Sequence, residues 1–373
     1  MTEPSFICIG FQKCGTTSLY DLLKQHPLIY LTEDVKEPMF YRAPFFRLIL
    51  GAGWYHKRYF GHLEEARRQP AEIRRQRSEG VGLLTGRRGG KNGSIPKDSA
   101  ASGRAAAFSG ASETSAPVTL YPGEINAGLA FNGCARWLGR DFTRDTRLIF
   151  MMRDPADRCY SAYKYFLALG FLPMSVVADD RKRGHAAAFD SYVRSVLLNP
   201  RRRRDIMRNR MHYLCFSQGN YARCIREYLR YFPRENMKFI FFEEFVQDEE
   251  GVTRELLDFL QIPEAPGMSY NVKSNETNFR PVSPIRSKFL RLLQGTFYLC
   301  YEFLDLSRRC PGFFRRFMSF FDWSMSTCTR PETDTSKMLP STRRLLNRYY
   351  RREMKQVEKL AGRKLPDRWG RDC

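Results

Sequence analysis

Two uninterrupted apolar runs, each leading directly into a turn and then a helical pattern, constrain this chain more than any other feature. Residues 6–10 read FICIG and residues 147–152 read RLIFMM. Neither alternates apolar with polar side chains, so each is expected to be a strand buried on both faces, as in a parallel sheet covered by helices. Shorter runs at Leu28–Leu31 and in MKFIFF (237–242) repeat the theme. Between and after them lie helix-length segments: Leu129–Leu138, Ala186–Leu198, residues 218–232, EEFVQDEEGVTRELLDFL and Leu345–Leu360. This alternation predicts an α/β fold, with one domain over residues 1–373 built on a central parallel sheet.

The first run ends in a turn with the chemistry of an anion site. Gly10 and Gly15 permit backbone conformations that a Cβ would obstruct. Thr16-Thr17-Ser18 open a helix marked by Leu19, Leu22 and Leu23, and the free N–H groups of a first helical turn attract phosphate or sulfate. Lys13 adds a mobile positive charge and the hydroxyls add donors. The nearest generic nucleotide loop, G-x-x-x-x-G-K-[ST], puts lysine after the second glycine. Here Lys13 precedes it, so an ordinary nucleotide triphosphatase is not expected. The plainer alternative is a strand-helix turn whose lysine faces water.

Charge agrees with an anionic partner without choosing one. Sixty-two Lys and Arg stand against 40 Asp and Glu, a net +22, which suits a nucleotide, a sulfated glycan, a nucleic acid or an anionic membrane. Ten Cys and five His contain no close metal-ligand pair, so no metal is expected. Cys8 and Cys159 read as buried thiols; Cys300, Cys310 and Cys328 could include a disulfide in a secreted protein.

The rest of the chain divides by composition. Pro38 in KEPMFY favours a loop that exposes Lys36 and Glu37, and GAGWYHKRYF (51–60) reads as an aromatic, basic connector. The Gly/Ser/Ala-rich tract 85–117 is expected to be a flexible insertion. Apolar and basic residues mix from 285 to 328, which suits either an amphipathic membrane surface or a packed part of a helical C-terminal subregion, 285–373. No secretory signal precedes the first strand and no apolar run reaches membrane-spanning length. The expectation is a cytoplasmic protein or, if the chain is excised from a longer precursor, one of the Golgi lumen.

FQKCGTTSLYDLL resembles the 5′-phosphosulfate loop of sulfotransferases that use 3′-phosphoadenosine 5′-phosphosulfate (PAPS), and RLIFMMRDPADRCYSAYKYF resembles their 3′-phosphate motif. Arg153, Pro155, Arg158, Ser161 and Tyr163 supply the spacing of the second. KEPMFY, GWY, GNY and LPSTRRLLNRYYRREMKQVEKLAGRKLP extend the likeness, whose style is that of carbohydrate sulfotransferases of the heparan and chondroitin type. The resemblance implies sulfuryl transfer to a hydroxyl or amine, releasing 3′-phosphoadenosine 5′-phosphate (PAP). It assigns the 5′-phosphosulfate to Lys13, Cys14, Gly15, Thr16, Thr17 and Ser18, and the 3′-phosphate to Arg153 and Ser161. Arg158 either orients the loop or forms an internal ion pair.

By the same resemblance Glu37 is the general base, with a salt bridge to Lys36 as its alternative role. Lys13 stabilises the departing oxygen, and Lys36 orients the sulfonate or raises the local positive potential. Glu124, in YPGEINAGL, occupies a glycine-acid turn where it orients a sugar or the Glu37 loop, or else has a structural role, although Ile125-Asn126-Ala127 replaces the usual continuation. CTRPETDTSKMLPS lacks the usual Lys-Gly-Arg of the nucleotide-packing loop, and Tyr221 in GNY either meets the nucleotide or packs in the core. The alternatives to a carbohydrate acceptor are a phenol, polyketide or alkaloid, or an inactive nucleotide-binding scaffold. A nucleic-acid partner, suggested by Arg201–Arg204, would require neither the paired motifs nor Glu37.

Overall fold

A computed structural model describes residues 4–32, 35–68, 119–130, 133–199, 210–270, 279–281, 283–304, 309–327 and 329–370. The 85–117 tract, Arg201–Arg204 and Cys328 lie outside them. Five strands form one all-parallel sheet in the order β2-β3-β1-β4-β5: β1 (Phe6–Gly10), β2 (Ile29–Leu31), β3 (Tyr121–Asn126), β4 (Arg147–Met152) and β5 (Met237–Phe241).

The apolar runs are continuous because both faces of the sheet are covered. Ile7 and Ile9 of β1, Leu148, Phe150 and Met152 of β4, and Phe239 and Phe241 of β5 enter one core. Their neighbours Phe6, Cys8, Ile149, Met151 and Ile240 enter the other, the period-two split a strand imposes. Helices α1 (Thr16–Leu23) and α11 (Glu249–Leu260) cover the second face. The first face takes α2 (Pro44–Phe60), α4 (Cys134–Asp141), α5 (Pro155–Ala168), α7 (His185–Leu197), α9 (Tyr221–Tyr228) and α14 (Pro340–Ala361). The remaining helices are α3 (Leu63–Arg67), α6 (Met174–Arg183), α8 (Arg210–Ser217), α10 (Phe242–Gln247), α12 (Pro284–Leu304) and α13 (Pro311–Thr327). β6 (Phe279–Pro281) and β7 (Thr329–Pro331) pair antiparallel.

Two expectations change. GAGWYHKRYF is helical, continuing α2 beyond a break at Gly51 (φ 72°), because Tyr55 and Tyr59 recur one turn apart and bury their rings in the core. YPGEIN is a strand, and its glycine marks a close approach instead of a turn. A Cβ on Gly123 would lie 2.1 Å from the Phe6 ring on the neighbouring strand. Among the described residues Cys8 and Cys159 are buried free thiols, and Cys300 and Cys310 are exposed and unbridged. No described helix is long and apolar enough to cross a membrane.

The strand order locates the site. From β1 the chain crosses to β2, and from β4 it crosses to β5 on the opposite side. The connections therefore diverge between neighbours β1 and β4, and open parallel sheets bind ligands beyond the carboxyl ends of strands at such a point.

Candidate active site

The turn after β1 and the turn after β4 meet at that divergence. Gly10 cannot carry a side chain, since its Cβ would fall 1.9 Å from the Thr16 methyl. Gly15 caps α1 at φ 90°, and no side chain caps that helix; the first N–H groups of a helix attract an anion. Lys13 itself has φ 70°, a left-handed conformation unusual for a residue with a side chain. Its carbonyl accepts from Arg153 Nη1 at 3.4 Å, which ties the two turns together.

Cations crowd this junction. Lys13 Nζ lies 4.8 Å from the centre of the Tyr165 ring, and the Arg153 guanidinium carbon lies 4.7 Å from that of Phe242. Burial, then the charges of Arg153 and Lys164, lower the Lys13 pKa to about 8. Arg153 Nε is buried with no hydrogen-bond partner. Lysine and arginine held together against their mutual repulsion, with an unused buried donor, fit a polyanionic ligand, which would relieve both costs.

The backbone turn, Lys13, Thr16–Ser18 and Arg153 thus form one group. Thr17 is half-buried, Thr16 and Ser18 more deeply, and Ser161 is half-buried in the second turn of α5. Two other expected residues lie behind the turn. The Cys14 thiol is buried and pushed up to about 12 by burial, which leaves its backbone as the part facing the turn. Tyr221 is also buried; its hydroxyl donates to the Arg153 carbonyl at 2.7 Å and lies 3.8 Å from Cys14 Sγ. Its ring packs edge-on to Phe11 at 4.5 Å, so it props the two turns from beneath. Arg158 is fully buried and donates to the Cys215 carbonyl, an internal role.

The loop carrying Lys36 and Glu37 reaches the same place. Lys36 Nζ donates to Thr17 Oγ1 at 2.6 Å, so Lys36 faces the turn, while Glu37 lies 3.7 Å from Arg42 Nη1 with its side chain 35% exposed. Two buried carboxyls hold this loop. Glu124 accepts from Tyr55 Oη and, at 2.7 Å, from Asn126 Nδ2. Asn126 Nδ2 also donates to the Pro38 carbonyl at 2.8 Å. Glu302 of α12 accepts from the Met39 amide at 2.7 Å and from Tyr59 Oη. Burial raises the Glu124 pKa to about 7 against these hydrogen bonds, and raises that of Glu302. Glu124 is 1% exposed, and Asn126 links it to the Pro38 carbonyl under the Glu37 loop.

The segment after β7, which lacks the Lys-Gly-Arg pattern, is clasped to the helical layer. His185 lies 2.7 Å from Asp180 and 3.0 Å from Glu332, its amide donates to Asp334 at 2.7 Å, and Tyr160 Oη donates to the Ser336 carbonyl at 2.8 Å. Among the described residues no group of three or more His, Cys, Asp or Glu is placed to hold a metal ion.

Residues 137–280 match the family described as Sulfotransferase domain. Carbohydrate sulfotransferase 15 of Mus musculus is 24% identical over 311 residues, which cover 79% of this chain and 52% of that protein. The chain is thus similar to sulfotransferases over that stretch and to this relative over most of its own length. It spans about half the length of that curated relative. Among solved structures, this chain is similar to a sulfotransferase from Alicyclobacillus acidocaldarius, with 19% identity, a TM-score of 0.47 and 98% of each chain covered. The sulfotransferase domain from the curacin biosynthetic pathway is 13% identical, with a TM-score of 0.37, covering 74% of this chain and 80% of that one.

Four contributors to the site were not picked out from the sequence: Lys164, Tyr165, Asn126 and Glu302. Ser161, Lys164 and Tyr165 stand at i, i+3 and i+4 on α5, a spacing that shares one helix face and was available as a signal. Glu302 lies 263 residues from its partner Met39, and no local pattern announces such a contact.

Proposed function

We propose that this chain is a sulfotransferase that moves the sulfuryl group of PAPS to a hydroxyl or amine of a carbohydrate, with Glu37 as general base. The observation that carries this reading is the 2.6 Å bond from Lys36 Nζ to Thr17 Oγ1, because it sets the residue beside Glu37 against the turn suited to a sulfated phosphate. PAPS, when bound, supplies the activated sulfuryl group; the chain supplies position and charge. The α1 amides, Lys13 and the Thr16–Ser18 hydroxyls would hold the 5′ end, and Arg153 with Ser161 the 3′-phosphate. Glu37 accepts the proton of the attacking hydroxyl or amine, a step that requires its carboxylate within hydrogen-bond reach of that group. Lys13 and Lys36 stabilise negative charge as it develops on the oxygen left behind.

The carbohydrate acceptor is supported by the likeness to carbohydrate sulfotransferase 15 and by the net charge of +22, which favours acidic glycans. A transfer screen with radiolabelled PAPS across sulfated, carboxylated and neutral glycans and soluble phenols tests it. Label is expected on a glycan. Label confined to phenols would move the acceptor to the small-molecule class, and donor binding with no transfer would contradict the enzymatic reading.

A further inference from the structure

The helices between β6 and β7 carry an apolar surface that the transfer reaction does not use. On α12, Ile285, Phe289, Leu292, Leu299 and Phe303 are 36–71% exposed. Their positions run i, i+4, i+7, i+14 and i+18, one stripe on a helix of about 3.6 residues per turn. The opposite face of the helix is the one that packs, through Tyr301 and Glu302, both nearly fully buried. On α13, Phe313, Phe320 and Trp323 are 56–62% exposed. The two helices touch through Phe297 and Phe317, whose ring centres are 3.6 Å apart.

The start of α2 joins this surface. Phe46 meets Phe303 at 5.5 Å between ring centres, and beside it Phe45, Leu48 and Ile49 are 57–70% exposed. So many large apolar side chains on three touching helices exceed the scattered exposure of an ordinary soluble surface.

Charge selects the occupant. Arg286 and Lys288 are exposed and flank the α12 stripe on either side, and Arg309 and Arg316 are exposed on and beside α13. By sequence α12 and α13 carry five Lys or Arg against two carboxyls, Glu302 and Asp322, and Glu302 is buried. Aromatic and aliphatic side chains rimmed by cations, with acids in the minority, complement a bilayer interface bearing anionic lipid: the apolar groups enter the acyl boundary and the cations meet the headgroups. We propose that α12, α13 and the start of α2 form a peripheral docking surface for anionic membranes. No helix needs to span the bilayer. Glu302, on the buried face of α12, also bonds the Met39 amide, so a docked α12 would lie one hydrogen bond from the loop that carries Glu37.

Sedimentation of the full chain with vesicles tests the proposal. The protein is expected to sediment with vesicles of phosphatidylcholine mixed with phosphatidylserine and to remain in the supernatant with phosphatidylcholine alone. Arg286→Glu combined with Lys288→Glu should weaken binding at least about tenfold, since each basic residue near an anionic surface is worth a factor of about five. Phe289→Ser combined with Leu292→Ser should weaken it comparably while leaving the thermal midpoint unchanged, because these side chains already face solvent. Failure to bind either vesicle would overturn the proposal, as would wild-type binding by both double variants. A concentration-dependent dimer abolished by the same substitutions, without vesicle binding, would assign the surface to a second copy of the chain and overturn it equally.

Discussion

The turn after β1 gathers Lys13 and Arg153 through backbone geometry, whereas the loop bearing Glu37 is held by two buried carboxyls that arrive from far along the chain. On the donor side Gly15 and Lys13 sit at positive φ, and burial and the charge of Arg153 lower the Lys13 pKa. On the acceptor side Asn126 links Glu124 to the Pro38 carbonyl, and Glu302 takes the Met39 amide. If the proposed function holds, donor affinity and acceptor positioning rest on different residues, so each should fail without the other.

The largest expected effect is on the donor side. Lys13→Ala should lower the transfer rate by roughly 10²–10³-fold, the usual cost of removing a preorganised charge from a developing oxyanion; a loss of only a few-fold in single-turnover transfer would remove Lys13 from that role. Next, Arg153→Ala should weaken PAP by about 10–100-fold, as loss of a charged hydrogen-bonding partner does, and leave adenosine 5′-phosphate almost unaffected. Calorimetry on both nucleotides checks this, and a parallel loss for the two would remove the 3′-phosphate from Arg153.

A smaller effect follows from titration. With the Lys13 pKa lowered to about 8 and a bound anion favouring the ammonium, PAP affinity should be level below that pH and fall about tenfold per pH unit above it. Lys13→Arg should flatten the profile. The smallest effect concerns Glu124, whose carboxyl is raised from 4.5 to about 7 in the folded protein. A raised carboxyl stabilises the fold while neutral, below pH 4.5, and loses that contribution as pH rises towards 7. The stability of wild type relative to Glu124→Gln should therefore decline between those values and level off above them, with PAP affinity unchanged throughout. Denaturant titrations across pH provide the measurement.

The sequence was most legible where burial and function are both local. FICIG and RLIFMM could only be strands covered on two sides, and Gly10, Lys13, Gly15 and Thr16 declare their turn within seven residues. The Glu37 loop was legible as a loop because Pro38 excludes a helix interior. What holds it was not, because Glu124, Asn126 and Glu302 act through hydrogen bonds spanning up to 263 residues. Gly123 misled for a physical reason. A glycine admits both a turn and a neighbour's ring at close approach, and only the pairing of β3 with β1 decides between them. Tyr221 was ambiguous until its hydroxyl was seen to serve the Arg153 carbonyl.

The separation of the two sides, with Glu37 as base, is tested most directly by the Glu37→Gln variant on an acceptor identified in the transfer screen. The amide keeps the side-chain volume and removes the proton acceptor. Single-turnover transfer and PAP affinity, measured on the same preparation, should show a rate lowered by roughly 10²-fold or more and an affinity within about twofold of wild type, as expected of a residue that takes no part in holding the nucleotide. Transfer at the wild-type rate would contradict the account, as would a loss of affinity that matches the loss of rate.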